Sequence, residues 1–120
     1  MKIIKTYIRI YLGPSELEPA VIFYERVLGE PARLRFQYLE VGLEVAEIGH
    51  VLLIAGTDKA LKPFRSTQAT FLVSSIEEAR KELLSLGARV LAEPKKVPTG
   101  MNMRVRHPDG TTVEYVEHRQ

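Results

Sequence analysis

Cysteine and tryptophan are both missing from this chain of 120 residues. The first absence removes disulfides, thiolate metal sites and cysteine nucleophiles together. No apolar run approaches the roughly 18 residues that a membrane span would need. Arg9 interrupts the run that follows the basic start Met1-Lys2-Ile3-Ile4-Lys5, and no small-residue cleavage signal comes after it. The expectation is a cytoplasmic protein with no membrane partner. Charge of one sign is scarce too. Lys and Arg number 17 against 15 for Asp and Glu, a net charge of +2. The basic residues are scattered (Arg33 and Arg35, Lys95 and Lys96, Arg104 and Arg106), which argues against a nucleic-acid partner. No P-loop or G-x-G-x-x-G run occurs, so nucleotide binding has no motif to support it.

What the chain does have is a repeat. Hydrophobic residues make up 45% of it, enough for one domain with a core that needs no staples. Tyr7–Gly29 reads as an extended stretch, a helix and a Leu-Gly stop, and Gln68–Gly87 reads the same way. The two units lie about 60 residues apart, a period that suggests internal duplication. The expected division is module one at 1–56, a linker at 57–66 and module two at 67–120.

The first strand alternates, with Ile8, Ile10 and Leu12 on one side and Tyr7, Arg9 and Tyr11 on the other. Gly13-Pro14 breaks it. Ser15 and Glu18 have capping-box spacing, although Pro19 pulls the helix start toward Glu18. Leu17, Val21, Tyr24 and Leu28 form the apolar stripe of that helix, Phe23 is expected to pack beside them, and Gly29 ends it. Strands follow at Ala32–Leu39, Leu43–Ile48 and Val51–Ala55. In the second unit Gln68–Val73 is extended and Ser75 to Glu78 is a capping box. Ile76, Ala79, Leu83 and Leu86 line a helix that stops at Gly87. Strands at Arg89–Glu93, Met101–Arg106 and Thr111–Glu117 complete the unit, the last two joined through Pro108-Asp109-Gly110. The order is β-α-β-β-β, twice. A helix accounts for one face of each sheet, and the other face must line something.

Phe23-Tyr24-x-x-Val27-Leu28-Gly29, the Leu86-Gly87 stop and His107-Pro108-Asp109-Gly110-x-x-Val113-Glu114 together resemble the vicinal oxygen chelate superfamily. That group holds glyoxalase I, the bleomycin-resistance proteins and the extradiol dioxygenases. The resemblance spans nearly the whole chain and implies an α+β fold. In it, two βαβββ modules form a pseudo-symmetric curved mixed sheet around a cleft, usually completed by a second subunit as a homodimer.

Metal-dependent members of the family hold a divalent ion with four side chains. By resemblance these fall at Tyr7 (or Thr6 in a slipped register), at Leu53 within His50–Ala55, at Gln68 and at Glu114. Gln68 and Glu114 can donate oxygen; Leu53 cannot ligate and a neutral tyrosine is a poor ligand. Two protein ligands are too few for a catalytic ion. His50, His107 and His118 miss the positions of an extradiol site. No cofactor is therefore expected; a divalent metal, if any binds, would use Gln68 and Glu114.

The candidate ligand-binding residues are Tyr7, Arg9, Tyr11, Gln68, Thr70, Met101 and Met103, with Glu114 as the candidate catalytic group. Tyrosines stack on planar molecules and Gln68 hydrogen-bonds polar ones. Met101 and Met103, flanking Asn102, suit either an adaptable pocket wall or a core gap. A half-buried Glu114 needs a partner, for which Arg9 is the candidate. That pair would either fix the sheets or recognise a polar ligand, and Glu114 could otherwise act as a general base toward a carbon acid. Two functions follow. One is a metal-independent small-molecule binder like the bleomycin-resistance branch. The other is a lyase, isomerase or dioxygenase-type enzyme with a reduced metal site.

Overall fold

A computed structural model describes residues 1–119. In chain order the elements are β1 (Ile3–Leu12), a 3-10 turn (Pro14–Glu16), α1 (Leu17–Leu28), β2 (Leu34–Tyr38), a second 3-10 turn (Leu39–Val41), β3 (Leu43–Ile48) and β4 (Val51–Ala55). There follow α2 (Asp58–Leu61), β5 (Thr67–Val73), α3 (Ile76–Ser85), β6 (Arg89–Val97), β7 (Gly100–Arg106) and β8 (Thr112–His118). The expected strand-helix order is present in both halves. The segment expected as a linker carries the one-turn helix α2, capped by the Thr57 hydroxyl, which accepts from the Ala60 amide at 3.1 Å. Among the described residues no helix is long and apolar enough to cross a membrane.

The chain forms two compact units: Ile8–Ser66, and Met1–Tyr7 with the residues from Thr67 onward. The boundary falls inside β1. In the Ile8–Ser66 unit, β1 runs parallel to β4, with Ile8 opposite Val51 and Leu12 opposite Ala55. β3 is antiparallel to both β4 and β2. One face packs on α1 through Leu17, Val21, Ala46, Ile48, Val51, Leu53 and Ala55, with Ile10 and Leu12 against them. Each Leu, Val or Ile side chain so buried contributes about 1.5–3 kcal/mol. The opposite face gathers Leu43, Ile54 and Leu61, with Tyr11, Tyr38 and Phe64 around them.

The α1 stripe is narrower than its spacing suggests. Leu17 and Val21 are buried, but Leu28, Phe23 and Val27 stand in the open. Phe23 packs edge-on to Tyr24, with ring centroids 5.2 Å apart, rather than into the core. The Ser15–Glu18 capping box is also replaced. Glu16 turns back to accept from the Gly13 amide at 2.6 Å, because the 3-10 turn precedes the helix. Glu18 instead pairs with Arg35 of β2, and that exposed pair lowers the Glu18 carboxyl pKa and raises that of the guanidinium. Pro19 then falls in the first turn, where a missing N–H costs nothing. Gly29 ends α1 with φ +71°, a conformation that suits glycine.

In the other unit, β5 is parallel to β8, and β7 is antiparallel to both β8 and β6. α3 buries Ile76, Ala79 and Leu83 against Val73, Met103, Val105, Val113 and Tyr115. The Ser75 hydroxyl accepts from the Glu78 amide at 3.2 Å, and the Glu117 carboxylate of β8 accepts from the Ile76 amide at 2.8 Å. The first turn of α3 is thus capped both from its own chain and from the sheet. Leu86 is exposed, contrary to its place in the expected stripe, since the helix has ended at Ser85.

Candidate functional site

Alternation sorts the residues of the β5–β8 sheet onto two faces. Ala69, Phe71 and Val73 of β5, Met101, Met103 and Val105 of β7, and Val113 and Tyr115 of β8 pack together on the α3 side. The opposite face therefore carries Thr70, Asn102, Arg104, Thr112 and Glu114. Register fixes their neighbours. Glu114 stands between Thr70 of β5 and Arg104 of β7.

Glu114 is half-buried and its carboxylate is held from two strands. The Thr70 hydroxyl donates to Oε1 at 3.0 Å, and the Asn102 amide donates to Oε2 at 2.8 Å. Thr70 itself is only 3% exposed, so this anchor sits below the surface. Hydrogen bonds to a carboxylate are stronger than those between neutral groups, and two of them fix its plane. The result is an oriented acceptor on a rigid sheet, suited to a polar ligand group or to receiving a proton.

Gln68 sits where the β5–β8 register shifts between Thr67 and Ala69. Its side-chain oxygen accepts from the Thr112 amide at 3.3 Å, which leaves its NH₂ group as the outward-facing donor. Met103 is 1% exposed and belongs to the core beneath α3, as does the partly buried Met101. Both therefore lie on the face opposite Glu114, and Asn102 between them is the residue that reaches it. The strand itself carried the signal: Met101, Met103 and Val105 alternate with Asn102, Arg104 and Arg106.

Tyr7 is buried, with the Lys5 ammonium 5.0 Å from its ring centroid. Arg9 and Tyr11 belong to the Ile8–Ser66 unit. The Arg9 Nε donates to the Tyr11 hydroxyl at 2.8 Å, and its guanidinium lies 5.4 Å from that ring's centroid. Tyr11 in turn donates to the Phe64 carbonyl at 2.5 Å. That chain ties β1 to the end of the α2 segment.

Leu53, the position matched to a metal-binding glutamate, is fully buried on the α1 side, opposite Ile10 in register. An aliphatic residue facing the core can supply no donor. Among the described residues no three His, Asp or Glu side chains converge as a ligand set. The family's four-ligand pattern does not fit these residues.

A second polar contact lies on the helix side. His107 Nε2 and the Tyr115 hydroxyl are 2.7 Å apart, with Phe71 packed edge-on to Tyr115 at 5.4 Å between centroids. Burial pushes the Tyr115 hydroxyl pKa up to about 12.

The sequence profile of the Glyoxalase/Bleomycin resistance protein/Dioxygenase superfamily matches residues 7–115. The chain belongs to that superfamily. A solved structure of an uncharacterized protein from Methanosarcina mazei is 50% identical, with a TM-score of 0.90 over 99% of this chain and 95% of that one. Methylmalonyl-CoA epimerase from Mycobacterium tuberculosis shares the fold at 20% identity, with a TM-score of 0.72 over 98% of this chain and 90% of that one. A Streptomyces coelicolor methylmalonyl-CoA epimerase variant in complex with 2-nitronate-propionyl-CoA does so at 19% identity, with a TM-score of 0.68 over 99% and 100%. No curated protein matches the chain.

Proposed function

We propose that this protein binds a small organic molecule on the sheet face that carries Glu114, and does so without a divalent metal. The observation that carries the reading is the anchoring of Glu114 by Thr70 and Asn102. Those two donors fix the plane in which the carboxylate meets a ligand group. The outward NH₂ of Gln68 adds a donor nearby, and sequestration needs no more than such complementarity. The Val51–Ala55 strand, aliphatic throughout and so without a side-chain oxygen donor on either face, supports metal independence.

A second reading is favoured by the likeness to methylmalonyl-CoA epimerases. In it Glu114 accepts a proton from a carbon acid, with Thr70 and Asn102 holding its plane. Assembly as a homodimer belongs to both readings. It is supported by the apolar residues Ile22, Phe23 and Val27, which α1 leaves 57–60% exposed, and sedimentation measures it.

The test is a thermal-shift screen of planar and acidic metabolites on the wild type, Glu114→Gln and Gln68→Ala. The expected result is a ligand whose stabilisation falls at least tenfold in apparent affinity in Glu114→Gln. Hits followed by proton-exchange assays separate the readings, since only the enzyme exchanges a substrate C–H with solvent. A ligand bound equally by wild type and both variants would sink both.

A further inference from the structure

β6 and β7 carry a set of cationic side chains on the same face as Glu114. Register decides this. Arg104 stands opposite Glu114, Arg106 opposite Thr112, Arg89 opposite Arg106, and Lys95 opposite Asn102. Directly paired residues project from one face with Cβ atoms about 5 Å apart, and like charges so placed destabilise a sheet. Arg89 and Arg106 are such a pair.

Among the described residues Arg89, Lys95, Arg104 and Arg106 enter no ion pair. The one acid of β6, Glu93, is held by Arg80 of α3 through two hydrogen bonds of 2.8 and 3.1 Å. Glu114, opposite Arg104, sets a single carboxylate against four cationic side chains. Protection of an open sheet edge would account for Arg89 and Lys95, because β6 ends the strand order. It does not account for Arg104 and Arg106, since β7 has a neighbour on each side.

We propose that Arg89, Arg104 and Arg106, assisted by Lys95, bind a phosphate or pyrophosphate group of the ligand. The planar guanidinium presents paired N–H donors that match phosphate oxygens, and register puts three of them on one face of two adjacent strands. This inference rests on the reading of the Glu114 face as a ligand site and names the ligand class: a phosphorylated small molecule. Its anionic arm lies along β6 and β7, and its other end reaches Glu114.

Calorimetry with inorganic pyrophosphate at low ionic strength tests it. The wild type is expected to bind one pyrophosphate per chain. Arg104→Gln and Arg106→Gln each weaken that binding tenfold or more, while Lys62→Gln, on an exposed turn of the Ile8–Ser66 unit, leaves it unchanged. Relief of the Arg89–Arg106 repulsion raises the melting temperature of Arg106→Gln in anion-free buffer, and pyrophosphate stabilises the wild type but not that variant. Absence of binding to the wild type, or equal weakening in Lys62→Gln, overturns the proposal. The pyrophosphate titration reports on the cationic side chains of β6 and β7 and not on the Glu114 carboxylate. Failure here is therefore distinct from failure of the Glu114 reading, which the metabolite screen decides.

Discussion

Asn102 donates to Glu114 across the β7–β8 ladder at 2.8 Å, although the residue directly opposite Glu114 is Arg104. The neutral amide reaches diagonally and takes the carboxylate, and the guanidinium is left for another partner. Removing the amide in Asn102→Ala should cost about 1.5–3 kcal/mol, the range for a hydrogen bond to a charged group. Urea denaturation measures it. Ligands found with the wild type should bind Asn102→Ala more weakly, because the Glu114 carboxylate then loses the Asn102 donor that orients it.

Tyr115 and His107 form the corresponding contact on the helix side. Tyr115 is 2% exposed, so His107→Ala leaves a hydroxyl buried with its partner removed, at a cost of about 1–3 kcal/mol. Tyr115→Phe removes the buried hydroxyl itself and leaves His107, which is half-exposed, to water. It should cost less than His107→Ala. Equal losses in the two variants would contradict this account.

Tyr115 also sets a pH dependence. Its folded pKa is raised to about 12 from the usual 10.0 by burial. The folded state therefore holds the proton longer than the unfolded state. The associated stability is fully present below pH 10 and is lost progressively as pH rises toward 12. Melting temperatures across that window should fall more steeply in the wild type than in Tyr115→Phe. Absorbance titration should show one tyrosine ionising last.

Gly100 opens β7 with φ +153°, and a Cβ there would meet the Glu117 carbonyl at 2.0 Å. Backbone cannot yield as a flexible side chain does. Gly100→Ala should therefore break the Gly100–His118 end of the β7–β8 pairing and destabilise by more than about 3 kcal/mol. Faster amide exchange at the far end of β8 is the signature to look for.

Much of this was legible in the chain. Period-two alternation in β5 and the glycine stops at Gly29 and Gly87 hold as read, because each rests on a local steric rule. Leu53 was not legible. Val51–Ala55 is aliphatic throughout, so alternation gives no clue to which side faces the helix, and only pairing with Ile10 settles it. Asn102 was readable from its apolar neighbours but is overshadowed by the two methionines. Glu18 was drawn from its cap by Arg35, a residue on another element that spacing along the helix cannot reveal. The cationic pairing of Arg89 with Arg106 likewise depends on register, which two irregularities in β6 displace from simple counting.

The central claim is that a small molecule binds on the face of Glu114. Amide chemical-shift mapping on labelled protein, with a ligand from the thermal-shift screen, tests it most directly. The account predicts that the largest shifts fall on Thr70, Asn102, Arg104 and Glu114 and vanish in Glu114→Gln. Shifts confined to residues outside β5, β7 and β8, unchanged in that variant, would contradict it.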